Sequence, residues 1–163
     1  MTESRVPSAW KQAPISMFTA TCAGIGHLPG GPGTYAAAVA LPAIWWAGHN
    51  LELWLHLIGL VVVTLASFYW CDEAGKALDE DDSNMLVIDE FLGVWWTLAF
   101  FVEPSWPELL VGFVAFRFFD IAKPWPVNIA DESVKGGVGV MLDDLLAAGW
   151  AALVVLAVRL LLP

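Results

Sequence analysis

Positive charge is scarce in this chain. Seven Lys and Arg stand against seventeen Asp and Glu, a formal net charge of −10 over 163 residues. A nucleic-acid partner needs basic surface to meet its phosphates, so that class is excluded. Cysteine is scarcer still: Cys22 and Cys71 sit apart in apolar surroundings, with neither zinc-ligand spacing nor a disulfide framework. A Cys-x5-Arg phosphatase loop starting at Cys71 would need arginine where Ala77 stands, which argues against thiol–phosphate chemistry. The three histidines, His27, His49 and His56, lack partners at metal spacing, and His56 is expected to hydrogen-bond inside a helix bundle. No Gly-Lys-Ser/Thr follows the glycine-rich stretch, so it is not a Walker loop. Asp79-Glu80-Asp81-Asp82-Ser83 has no strand before it, as an Asp-x-Asp phosphatase would require, and reads mostly as a solvated acidic loop. Internal repeats, low-complexity tracts and a small-residue cleavage site are all missing, and no cleaved signal peptide is expected.

Apolar residues are abundant: 58% of the chain is hydrophobic, ten residues are Trp, and the mean hydropathy is +0.67. So much apolar surface in one domain-sized chain implies a membrane protein. Beyond a polar N-terminal segment (1–14), residues 15–163 read as one membrane domain. The expected fold is all-α, a membrane-embedded bundle of about four to five apolar helices with short re-entrant or interfacial helices. Ile15–Leu28 is a short mixed segment; the other apolar segments are Tyr35–Gly48, Leu53–Cys71, Phe91–Val102, Leu109–Phe119 and Leu145–Leu162. Thr34 is placed as the N-cap of the Tyr35 helix. The run after Glu90 is too short to cross the ~30 Å hydrocarbon core, so either such helices lie within a bundle or, as is expected here, they extend backwards through their carboxylates. Threading the segments alternately puts Arg5, Lys11, Lys76, Arg117, Lys123 and Lys135 on one face and leaves Arg159 opposite. The positive-inside bias makes the first face cytoplasmic.

The acidic groups on that face carry the chemistry. Asp89-Glu90 precedes an apolar helix and Asp143-Asp144 opens another. Ionised groups pressed against hydrocarbon cost several kcal/mol unless a partner or cation meets them. Oxygen-only ligands suit a hard divalent cation such as Mg2+, which takes one or two carboxylates plus substrate phosphate and water. Neighbours on a helix point about 100° apart, so one member of each pair is expected to face the site directly. Arg117, Asp120 and Lys123 follow at steps of three; an Arg117–Asp120 pair is easy, Arg117 and Lys123 could hold a phosphate, and Asp120 could orient them or bind metal. Gly33 and Thr34, at the end of the Gly24–Thr34 stretch, could offer backbone amides and a hydroxyl to the same anion. A small cation transporter lined by membrane-edge carboxylates is the alternative, although acids gathered at one edge fit it poorly.

Four ordered blocks now stand together: Gly24-x-Gly26-x-x-Pro29-x-x-Pro32-Gly33-Thr34; Asp82 with Val87-Ile88-Asp89-Glu90-x-x-Gly93; Phe116-Arg117-x-x-Asp120-x-x-Lys123-Pro124-x-Pro126; and Gly136-Gly137-x-Gly139-x-Met141-x-Asp143-Asp144. In these blocks the chain resembles the phosphatidylglycerophosphatase A family, bacterial membrane enzymes of phosphatidylglycerol synthesis, from Gly24 to about Gly149. Ala36-Ala37 depart from the Gly-Ser often found there, and Ser83 stands where proline is common, which bears only on the loop's stiffness. The resemblance implies removal of phosphate from phosphatidylglycerophosphate, a lipid substrate, in the bacterial inner membrane. It also implies Mg2+ held among Asp82, Asp89, Glu90, Asp143 and Asp144. Attack by a carboxylate-activated water and a covalent aspartyl-phosphate both stay open, and the chain carries no signature of an oligomeric state.

Overall fold

The computed structural model describes residues 6–80, 83–133 and 137–161. Among them every regular element is helical: α1 (Val6–Gln12), α2 (Pro14–Ala20), a 3-10 turn (Ile25–His27), α3 (Pro32–Asn50), α4 (Leu53–Leu78), α5 (Ile88–Leu98), α6 (Trp106–Ala122), α7 (Val127–Ser133) and α8 (Gly137–Leu161). The fold is an all-α bundle of membrane type. Among the described residues, α4 and α8 are the two helices long and apolar enough to cross a bilayer. α4, at 26 residues, is about 39 Å long, more than the ~30 Å hydrocarbon core.

α5 is the central element, packed on α3 and α8, with α6 closing over α8 and α4 standing outside against α2 and α8. Val94 and Leu98 of α5 meet Ala37, Ala40 and Ile44 of α3 and Ala147, Ala148 and Ala151 of α8 in one buried cluster. Alanine on the facing helices lets backbones approach closely, as helix association in lipid requires. Gly93 and Gly112 push this further: a Cβ on Gly93 would run into the Phe116 ring, and one on Gly112 into Leu98. Within the polar N-terminal segment, α1 buries Ala9 in a second cluster with Met17, Leu60, Cys71 and Leu92.

Two pairs of polar side chains bridge helices α4 and α5 inside the bundle. Trp95 donates its indole N–H to His56 at 2.6 Å, and Trp96 donates to the Thr64 hydroxyl at 2.9 Å. His56 is thus the buried hydrogen-bonding residue the sequence suggested. The outer faces are apolar: Trp54, Ile58, Val62, Leu65 and Tyr69 form an exposed stripe on α4, and Val114, Phe118 and Ile121 one on α6. Exposed apolar stripes on this scale mark a lipid-facing surface.

Chain punctuation follows sequence closely. Ser105 and Glu108 form a reciprocal capping box at the start of α6, with Pro107 in its first turn. α4 stops at Asp79 (φ +56°) and α6 at Lys123 (φ +43°), both left-handed, and Pro124 forbids continuation. Thr34 is not the N-cap of α3. Gly31 holds that place and Pro32 occupies the first turn, because proline's fixed φ suits a helix start and its missing N–H is no loss there.

The helices alternate direction, so the starts of α3, α5 and α8 and the ends of α4 and α6 gather at one end of the bundle. At the other end Arg159 reaches Glu108 (3.1 Å) and the carbonyl of Val102 (3.0 Å), lying over Phe101.

Candidate active site

Asp89 and Glu90 fall in the first turn of α5, and Asp143 and Asp144 two turns inside α8. α8 runs back two turns through its carboxylates, whereas α5 starts at Ile88, one residue before Asp89, and with 11 residues lies within the bundle rather than extending backwards to span the bilayer. The segment before α5 fixes this placement. The Val87 amide bonds the Ala20 carbonyl at 2.8 Å, Leu86 closes a turn on Ser83 at 2.8 Å, and Met85, Leu86 and Val87 are buried. Gly26 must lack a side chain for this loop to dock, since a Cβ there would strike the Met85 carbonyl.

Asp89, Glu90 and Asp144 each bring one carboxylate oxygen within 4.8 Å of the others. Asp143, 100° away on α8, turns instead to Lys123, whose Nζ lies 2.9 Å from its Oδ2. The 143–144 pair therefore divides its roles between neighbours. The 89–90 pair does not, because Glu90 is longer and lies against Gly33, where a Cβ would collide with its carboxylate. Arg117 on α6 completes the group, with Nη1 2.6 Å from Asp120 Oδ2 and 3.6 Å from Glu90 Oε1.

Buried polar atoms normally find partners, so those that do not are informative. Here Asp89 Oδ1, Glu90 Oε2, Asp144 Oδ2, Arg117 Nε and Ser83 Oγ are buried with no hydrogen-bond partner in the protein. Were all three carboxylates ionised with no cation between them, each pair at this spacing would repel by about 3.5 kcal/mol at an effective dielectric of ~20. Orphaned oxygens plus a repulsion that Arg117 offsets only at Glu90 fit a bound cation, and an all-oxygen donor set fits a hard one.

Beside the carboxylates lies a cavity of about 370 Å³ lined by Gly30, Gly31, Pro32, Gly33, Ser83, Asn84, Leu86, Asp89, Glu90 and Arg117. Gly33 is in its wall, whereas Thr34 is not among the lining residues. Asp82 and Lys135 lie outside the described residues. Sequence reasoning gave no role to Ser83, which the structure buries in the cavity wall; the signal available was a lone hydroxyl between the acidic run and Asp89. Cys22 is close by, its thiol 3.7 Å from the Val87 carbonyl, and burial, then the charges of Glu90 and Cys71, push it up to about 12. A thiol so reluctant to ionise is no nucleophile at neutral pH.

Comparison with known proteins identifies the family. The chain matches the family description "Phosphatidylglycerophosphatase A" over residues 18–159. It is 35% identical over 124 residues to Phosphatidylglycerophosphatase A of Escherichia coli (strain K12), covering 76% of this chain and 72% of that protein. It is 36% identical over 138 residues to the Haemophilus influenzae protein of the same name, covering 83% of each chain. A Bacteroides thetaiotaomicron protein, provisionally named a phosphatidylinositol-3-phosphatase, is 33% identical over 153 residues, covering 89% of this chain and 94% of its own. No solved structure is a significant match. The matched region holds all four carboxylates, Arg117 and the cavity, and on this extent of similarity the chain belongs to the phosphatidylglycerophosphatase A family.

Proposed function

We propose that the protein hydrolyses the terminal phosphomonoester of phosphatidylglycerophosphate, leaving phosphatidylglycerol in the membrane and releasing inorganic phosphate. The proposed setting is the cytoplasmic face of the bacterial inner membrane, with Mg2+ as the cation. The observation that carries this reading is the orphaned carboxylate cluster of Asp89, Glu90 and Asp144, set beside Arg117 on a polar cavity at one end of an apolar bundle. The names borne by the E. coli and H. influenzae relatives supply the substrate.

Asp89, Glu90 and Asp144 would hold the cation, which when bound supplies positive charge to a phosphate oxygen and lowers the cost of charge building there. Arg117 donates to the phosphoryl oxygens from the other side. Asp120, 2.6 Å from Nη1, keeps the guanidinium turned into the site. Lys123, held at the left-handed end of α6 and paired with Asp143, adds positive charge at the border of the cluster. A cluster carboxylate oriented toward the cavity accepts a proton as water attacks phosphorus in line; the ester P–O bond breaks and the glycerol oxygen leaves, taking up a proton. The apolar outer faces of α4 and α6 keep the lipid's acyl chains in the bilayer while only the head group enters.

Phosphate release from phosphatidylglycerophosphate in mixed micelles, with Mg2+ and then with EDTA, tests the reading. Release that EDTA stops and Mg2+ restores is the expected result. Release indifferent to EDTA would remove the cation from the reaction. Cation flux in liposomes with no phosphate release would return the chain to the transporter alternative.

A further inference from the structure

Ser83 has no place in the scheme above. Its side chain is 2% exposed, its Oγ has no hydrogen-bond partner in the protein, and it lies in the wall of the cavity that Asp89, Glu90 and Arg117 also line. The turn in which Leu86 N–H bonds the Ser83 carbonyl, with Leu86 and Val87 buried behind it, holds the residue in that wall. A buried hydroxyl left unpaired destabilises the folded protein, so an apolar residue would suit this position better if the cavity stayed empty.

Supply and demand of hydrogen atoms in the cavity say what the hydroxyl is for. A phosphoryl group offers only acceptors. Asp89 and Glu90 are acceptors too, so they meet it only through a cation. Donors are few: Arg117, already drawn to Asp120 and Glu90, the Asn84 amide, and the backbone N–H groups at the start of α3, where Pro32 supplies none. From this we infer that Ser83 is a substrate-binding residue whose hydroxyl donates to an oxygen of the phosphoryl group in the cavity. The inference rests on the phosphatase reading for the identity of the substrate, but the phosphate contact can be measured without catalysis.

The test compares wild type, Ser83→Ala and Ser83→Thr in detergent with Mg2+ present. It reads three quantities: affinity for inorganic phosphate by calorimetry, KM and kcat for the lipid, and the melting temperature without phosphate. Loss of one hydrogen bond to a charged group should weaken phosphate binding and raise KM together, by about 10-fold or somewhat more, with kcat changed less. Ser83→Thr should recover most of that affinity. The melting temperature of Ser83→Ala should hold or rise, since an unpaired buried group is removed.

Equal phosphate affinity in wild type and Ser83→Ala overturns the assignment, including the case where KM alone rises, which would move the contact to the rest of the head group. A clear fall in melting temperature overturns it as well, by giving the hydroxyl a structural partner. Wild type that binds phosphate through Ser83 but leaves the lipid intact sinks the phosphatase reading and spares this one. Wild type that neither binds phosphate nor hydrolyses the lipid sinks both.

Discussion

Adding one methyl group at Gly33 should separate activity from stability. A Cβ built there would occupy the place of Glu90 Oε1 and crowd its carboxyl carbon, with Oε2 only 3.1 Å away. The backbone itself tolerates alanine, because Gly33 lies in the first turn of α3 and alanine is the better helix former by up to about 1 kcal/mol. What must move is the far end of a flexible side chain, so folding should change by no more than about 1 kcal/mol in either direction. Catalysis has no such slack. Glu90 would leave a cluster whose oxygens lie within 4.8 Å of one another, and a displacement of about 1 Å in a positioned group can cost on the order of 10²-fold in rate. Gly33→Ala should therefore melt near the wild-type temperature while kcat/KM for phosphate release falls about 100-fold. Gly59→Ala is the matched control: a Cβ there meets nothing within 4 Å, and both quantities should hold. Full activity in Gly33→Ala would refute the placement of Glu90. Loss of activity in step with a lowered melting temperature would refute the claim that the methyl acts on the site alone.

Asp144→Asn should weaken cation binding and cut activity by about 10²-fold or more, whereas Asp143→Asn should cost less, because Asp143 faces Lys123; titrating activity with Mg2+ in both variants checks the order. Arg117→Lys should raise KM and lower kcat/KM by about 10-fold or more, since an ammonium cannot bridge Asp120 and a phosphoryl oxygen as a planar fork does; steady-state kinetics decide it. Cys22, pushed up to about 12 by burial, carries only about one part in 10⁴ thiolate at pH 8, so its alkylation in the folded protein should be slow yet rise about tenfold from pH 8 to pH 9, against about threefold for an ordinary thiol; mass spectrometry before and after denaturation reads both rates.

What could be read from the sequence was mainly what periodicity and chain punctuation control. Apolar runs located the main helices, but the shortfall after Glu90 misled: α5 gains only Ile88 before its acids and stays short, because it is packed between other helices and need not span. The i, i+3 step from Arg117 put Asp120 within 2.6 Å. The misplacement of Thr34 came from preferring a hydroxyl at the cap over the Pro32 that starts the helix. Other features depend on contacts between segments far apart in the chain. That Glu90 joins Asp89 in the cluster follows from a missing side chain 57 residues earlier, at Gly33. The burial of Ser83 follows from Val87 docking on Ala20. A window along one stretch of chain contains neither fact.

The brevity of α5 sets how enzyme and substrate meet. Eleven residues make a helix about 16 Å long, roughly half the hydrocarbon thickness, and its acids sit at one end. A lipid drifting within its leaflet can present its head group without its tails leaving the oil, and the diacyl product departs the same way. Only phosphate crosses into water. Encounter is then a search in two dimensions, so turnover should follow the mole fraction of substrate in the surface rather than its bulk concentration. Diluting the substrate with inert lipid should slow the reaction, whereas diluting the whole dispersion with buffer should not.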